Sequence, residues 1–170
     1  RLRSAAQAWV PMAVRRSYLI VAAWRPTGLG KAAGLEHSFW KIAMRPGKPL
    51  MAGRLDGMPM LGLPGNPVSS FVTFLMMVRP FLLRLQGVQN VLPRATDARA
   101  DFVWPKGDKR REFLRVRYNE RGGLELFKNQ SSGVLTSAVW ADGLVDNPPG
   151  QAIRRGDTVR FLPLCELVGR

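Results

Sequence analysis

The rhythm of apolar and polar positions changes along the chain, and the changes divide it. Over residues 1–35 the apolar positions follow neither a period of two nor one of 3.6, and Pro11 and Pro26 interrupt any long helix. From Ser38 the pattern sharpens. Residues 39–44 read as a buried strand that ends at Arg45, Pro46 and Gly47. Residues 50–55 and 58–63 read as two strands joined at Asp56 and Gly57, a pair suited to a tight hairpin turn. A helix is predicted next. Asn66 suits the N-cap and Pro67 the first helical position. Val68, Phe71, Val72 and Leu75 then recur at helical spacing. Pro80 lacks an N–H, so the helix is expected to kink or break there. The apolar pattern resumes at Leu82, Leu83 and Leu85 and stops at Gly87, a C-terminal cap.

Residues 88–100 are polar and irregular, and a domain boundary is placed there. Beyond it the texture is of short strand-like runs at 101–104, 113–118, 124–128, 144–147 and 158–164, separated by turn-forming clusters such as Arg121, Gly122 and Gly123. Short strands at this spacing predict a small barrel or sandwich. The chain thus divides into an atypical segment (1–35), a strand–helix segment (36–90) and an all-β segment (91–170).

Charge adds direction. The 170 residues carry a formal net charge of +14, with 26 Lys and Arg against 12 Asp and Glu. Between Arg1 and Leu55 the only carboxylate is Glu36. Such an excess calls for an anionic partner: nucleic acid, acidic lipid or a phosphorylated small molecule. No nucleic-acid reading motif is present, and no aromatic platform recurs among the cations. The longest apolar run, 71–78, is closed by Arg79 and Pro80, well short of the roughly 18–20 residues of a membrane span. No signal-peptide pattern is read. The single cysteine, Cys165, cannot form an internal disulfide and is expected to be a packed thiol. With one histidine, His37, this composition fits a reducing cytoplasm and excludes a Cys/His metal site.

Two devices in the central segment attract anions. On a strand leading into a Pro-Gly turn, Lys41 and Arg45 would share a face, with Lys48 emerging beyond the turn. Three converging cations suit an oxyanion, which Arg grips as a fork and Lys as a point charge. The same spacing also describes an ordinary solvated turn. The second device is Pro64, Gly65, Asn66, Pro67, Val68 and Ser69. A helix N-terminus offers free N–H groups, Gly65 allows close backbone approach and Ser69 adds a hydroxyl. Read alone, it is equally a plain strand–turn–helix connection. Together the two could flank one crevice.

The run WKIAMRPGKPL, followed by LPGNPVSS and VRP, closely resembles the molybdopterin molybdenumtransferases, the enzymes that insert molybdate into adenylylated molybdopterin, including the gephyrin E domain. The resemblance continues through REFLRVRY, NQSSGVLTSAVWADGLV and GDTVRFLPL, covering about residues 31–165. It implies α/β followed by all-β architecture: the end of a molybdopterin-binding three-layer α/β domain, then a small C-terminal β-barrel. By position it implies that Lys41, Arg45 and Lys48 act on the anionic substrate. Arg45 replaces a lysine of some relatives, which keeps the charge and changes the contact geometry. Pro64, Gly65, Asn66 and Pro67 would shape the pocket wall with Ser69 beside them, and Ser132 would be the barrel's contribution. The family uses Mg²⁺ with molybdate and adenylyl-molybdopterin, works as a homodimer and releases AMP. It implies no specific nucleic acid and no membrane partner.

One departure stands out. The family's metal-binding carboxylates and a Ser-Gly-Gly-x-Ser-Val-Gly-(Asp/Glu) stretch should precede Lys31, together with two amino-terminal domains, yet residues 1–35 hold no Asp or Glu. Reading the codons possible for residues 4–13 from their third base permits Gly-Gly-Ala-Ser-Val-Gly, with two glycines forced by Trp9-Val10 and Met12-Ala13. Residues 1 to about 30 are therefore expected to be a frame-shifted reading of the family's gene, and the chain is expected to be a fragment inactive alone, with no metal ligands of its own. A non-catalytic scaffold and a basic nucleic-acid-binding module stand as the other readings. A partial α/β sheet would also leave the 67–86 helix with an uncovered apolar face.

Overall fold

The computed structural model describes residues 12–14, 17–23 and 35–169. Most of the Ser4–Ala13 stretch on which the frame-shift expectation rests lies outside the described residues. Two sheets organise the chain. The first has strand order β1-β2-β6-β5-β3. It is built from β1 (Met12–Val14), β2 (Ser17–Ala23), β3 (Leu35–Phe39), β5 (Met51–Leu55) and β6 (Met58–Leu63). Two of these strands fall in the segment whose rhythm predicted no element. β2 runs parallel to β6, pairing Ile20 with Met60 through Ala23 with Leu63. A parallel strand in a sheet interior need not alternate, which explains why a period of two was not visible there.

The β5–β6 hairpin follows its turn chemistry. Asp56 and Gly57 both take positive φ, 50° and 76°, the backbone that matches the twist of two-residue hairpins. After β6 a continuous helix runs from Pro67 to Leu85, as α1 (Pro67–Thr73), a π-helical turn (Phe74–Val78) and α2 (Arg79–Leu85). The expected break at Pro80 is instead absorbed by the π turn, in which the Arg79 N–H reaches Phe74 O five residues back. The helix closes with Val88 N–H on Leu83 O at 3.0 Å and Gly87 N–H on Arg84 O at 3.0 Å, with Gly87 at φ +89°.

The second sheet has order β4-β8-β10-β11-β7, with β9 against β8. Its strands are β4 (Met44–Arg45), β7 (Thr96–Arg99), β8 (Arg111–Tyr118), β9 (Leu124–Leu126), β10 (Gly143–Asn147) and β11 (Thr158–Pro163). Short helices α3 (Thr136–Trp140) and α4 (Leu164–Val168) complete it. The hydrogen-bonded strand order is an open path. β7 and β9 approach through a bridge between Ala100 and Leu124. Residues 101–104 do not form a strand. Trp104 makes a single bridge to Ile153, and the strand lies earlier, at β7, whose register with β11 ends as the Ala100 N–H bonds Asp157 O.

Two further expectations change. Residues 39–44 are not one buried strand: β3 stops at Phe39, which is exposed, and the chain turns back so that Ile42 N–H meets Lys48 O at 3.0 Å. Met44 and Arg45 then pair with Arg111 and Glu112 of β8, in the other sheet. Cys165 is exposed and not packed, since α4 turns Leu167 inward in its place. The helix buries one face and leaves another bare, with Met77, Phe81 and Leu85 exposed. Val68, Val72 and Leu75 share a buried cluster with Phe113, Leu144 and Leu162 of the second sheet and Leu167 of α4. By length and composition alone this helix could cross a membrane, and 44% of that window is buried inside the protein. A second cluster, including Leu114, Val116, Val145 and Phe161, forms the interior of the second unit.

Candidate functional site

A cleft of about 640 Å³ opens where the 45–49 loop, the helix start and the 128–132 loop meet. The loop is shaped by Gly47, at φ +116°, where a Cβ would run into Thr73 Oγ1 and Met44 Cε. It follows β4, whose hydrogen bonding to β8 fixes where Arg45 stands. The 128–132 loop is pinned by an amide that imitates a strand. The Gln130 side chain accepts from Arg115 N and donates to Arg115 O, both at 3.0 Å.

Five of the sequence-predicted residues line this cleft: Arg45, Lys48, Asn66, Ser69 and Ser132. They come from three distant stretches of chain. Lys41 does not line it; its ammonium lies exposed, 5.8 Å from the Trp40 ring centroid. The reason is the interrupted strand, which removes the shared face with Arg45. Pro64, Gly65 and Pro67 form the turn behind the cleft without lining it. Asn66 makes no side-chain cap. Its Nδ2 donates to Ser132 Oγ at 3.1 Å, and the Val68 N–H donates to Ser132 O at 3.2 Å. The helix N-terminus thus spends a donor on the 128–132 loop instead of holding it for an anion.

The lining adds Arg110 and Lys128 to Arg45 and Lys48 and contains no carboxylate. Behind it lies Glu112, fully buried. Its Oε1 accepts from Arg45 Nη1 at 3.2 Å; its Oε2 accepts from Trp104 Nε1 at 2.8 Å, Asp108 N at 3.1 Å and Asn147 Nδ2 at 3.3 Å. Arg110 grips Asp108 through Nε and Nη2, both at 2.8 Å. These bonds, with the Arg45 charge adding to them, hold the Asp108 carboxyl well below the usual carboxylate range.

Arg115 is the functional candidate that sequence reasoning missed. It is 1% exposed and forms no ion pair with a carboxylate among the described residues; its guanidinium donates to Ser137 Oγ and Ser131 O, both at 3.2 Å. Burial, and then the nearby Arg45 charge, push it down to about 10. It remains cationic at neutral pH and adds its field to the cleft through the 131–132 loop. Its signal was an arginine in the middle of an otherwise apolar strand run, FLRV.

Chemically, the cleft can hold and neutralise an oxyanion. The residues lining it include no His, Cys or carboxylate. The donor set does not fit Mg²⁺, which wants carboxylate oxygens. Asp108 and Glu112 are committed to arginines, Trp104 and Asn147, and no cluster of three His, Cys, Asp or Glu suited to a metal occurs among the described residues.

Two family profiles match consecutive parts of the chain. The probable molybdopterin binding domain matches residues 16–84, and the MoeA C-terminal region (domain IV) matches residues 97–164. The chain belongs to the MoeA family. A molybdopterin molybdenumtransferase of Haemophilus influenzae is 36% identical over 141 residues, covering 78% of this chain and 34% of the relative. Molybdopterin molybdenumtransferase 2 of Mycobacterium tuberculosis is 34% identical over 113 residues, covering 65% and 27%. Among solved structures, a molybdopterin biosynthesis MoeA protein of Pyrococcus horikosii superposes with TM-score 0.69 at 30% identity, covering 85% of this chain and 36% of that one. A molybdenum cofactor biosynthesis protein of Pyrococcus furiosus gives 0.64 at 26%, covering 76% and 46%. The chain spans about a third of the length of these curated MoeA relatives. The cleft lies between the two matched regions, with Arg45, Asn66 and Ser69 from one and Arg110 and Ser132 from the other.

Proposed function

We propose that this chain takes part in molybdenum cofactor biosynthesis, in the insertion of molybdate into adenylylated molybdopterin with release of AMP. The observation that carries the reading is the convergence of Arg45, Lys48, Asn66, Ser69 and Ser132 on one carboxylate-free cationic cleft. Arg45 and Lys48 neutralise the anionic substrate; Asn66, Ser69 and Ser132 orient it by hydrogen bonding; Arg115 supports them from beneath. Pro64, Gly65 and Pro67 form the turn at the rear of the same site, and Lys41 stands outside it. The hard chemistry lies with the pterin thiolates, and the protein supplies position and charge. The second unit acts as a small barrel whose closure the Ala100–Leu124 bridge supports. The proposed setting is a reducing cytoplasm, in keeping with the single cysteine, with the family's homodimer as the proposed working assembly.

The chain alone is expected not to turn over, because the cleft holds no carboxylate free for Mg²⁺. Binding is therefore the test. Equilibrium dialysis with molybdate should show saturable binding that Lys48→Ala weakens by at least about tenfold, since a charge-assisted contact is worth about 1.5–3 kcal/mol. Absence of binding, or equal binding by the wild type and by both Lys48→Ala and Arg45→Ala, would overturn the reading.

A further inference from the structure

The cleft contains one large aromatic wall that the reading above leaves unused. Trp104 lines it and is half-buried, whereas the core aromatics Phe161 and Phe102 are 1% and 7% exposed. Its backbone is fixed from both sides by Ile153, at 2.8 and 2.9 Å. One part of the side chain packs against the core cluster of the second unit. The indole Nε1 is tied to Glu112 Oε2, while Arg45 takes Oε1 of the same carboxylate. A buried carboxylate therefore holds a flat apolar surface and a guanidinium side by side, at a separation set by its own two oxygens. Trp140, by contrast, already carries Arg117 at 4.4 Å and packs edge-on against Phe127. Among the described residues no ring or cation covers Trp104.

We propose that Trp104 is a specificity-determining wall on which a planar heteroaromatic ring stacks while the ligand's anionic group sits on Arg45 and Lys48. The assignment rests on the function proposed above and adds the ring to it. The ring chemistry is that of a purine or a pterin; both are flat, polarisable and able to cover an indole. Glu112 is the positioning residue, because it fixes the indole edge without touching the ligand.

The test compares Trp104→Ala and Trp104→Phe with the wild-type chain, using AMP, pterin-6-carboxylate and ring-free inorganic molybdate as separate probes in calorimetry. Trp104→Ala should weaken AMP or the pterin by about tenfold, the scale of a lost base–aromatic stack. Trp104→Phe should weaken ring binding less than Trp104→Ala, because a ring remains although the bond to Glu112 is lost. Molybdate binding should weaken clearly less than ring binding, and whichever ring probe responds identifies the ring. Equal weakening of all three probes would mean that Trp104 only supports the fold. Unchanged ring binding beside normal molybdate binding would overturn the wall and leave the proposed function standing. Failure of the wild type to bind any probe would overturn both.

Discussion

The two sheets bury their residues in different ways. In the second, β10 is buried along all five of its residues and β8 buries Glu112 through Val116 without a gap. That sheet is covered on one side by its own cluster and on the other by the helix of the first unit. In the first sheet, β5 and β6 are only partly buried, with Met51, Met60 and Gly62 as their most enclosed positions. The first unit gives its helix stripe and its β4 strand to its neighbour. The cleft cations stand on that gift. Arg45 belongs to the first unit by sequence and to the second by hydrogen bonding. The 45–49 loop is anchored at its start because a strand from elsewhere in the chain pairs with it.

The sharpest way to break this comparison is at Glu112. Replacing it by Ala leaves Arg45, Trp104 Nε1, Asn147 Nδ2 and the Asp108 N–H facing a void. Leaving buried donors unsatisfied typically costs about 1–3 kcal/mol each. Urea unfolding of Glu112→Ala should show a loss on that scale; a loss below about 1 kcal/mol would mean that the hub is not what holds the loop.

Leu75→Ala tests the shared core next. Leu75 is 1% exposed at the seam, and truncating such a leucine costs about 2–5 kcal/mol. If the units unfold as one, far-ultraviolet dichroism and tryptophan fluorescence should shift together. Two separated transitions would show that the seam is a docked interface and not a core.

Acid gives the smallest and most selective contrast. Asp108 is held low by Arg110 and Arg45, and Asp101 is held at about 2, first by Arg99 and then by Asn119. A carboxylate with a lowered folded pKa contributes stability that is present above the unfolded value of about 4 and lost as pH falls through the folded one. Both groups are in the second unit. Acidification from pH 5 toward pH 2 should therefore weaken hydrogen-exchange protection in β7 and β8, and Asp108→Asn should flatten that slope. An unchanged slope in the variant would show that other carboxylates carry the acid response.

Local chemistry was legible where one or two residues decide the backbone. Asp56-Gly57 gave the hairpin, Asn66-Pro67 the helix start and Gly87 its end, each through dihedral preference or missing donors. The resemblance in 39–80 pointed to Arg45, Lys48 and Ser69, and NQSSG pointed to Ser132. The misreadings share one cause. Residues 39–44 carry a strand composition, but whether they pair depends on what donors lie alongside. Arg111 N–H takes Ala43 O at 3.0 Å, a partner 68 positions away in the chain.

By itself the sequence determined the order of elements from Met51 to Gly87, the cationic character of the chain and the all-β texture of its end. These follow from torsional preference, hydrophobic period and charge, which act over a few residues. Only the tertiary structure decided that Lys41 stands apart from the cleft, that Asn66 bonds Ser132 instead of capping its helix, and that Glu112 and Arg115 sit buried behind the cations. Those outcomes depend on which groups fold against one another, because a buried charge or donor is tolerable only beside a partner that the chain brings from far away.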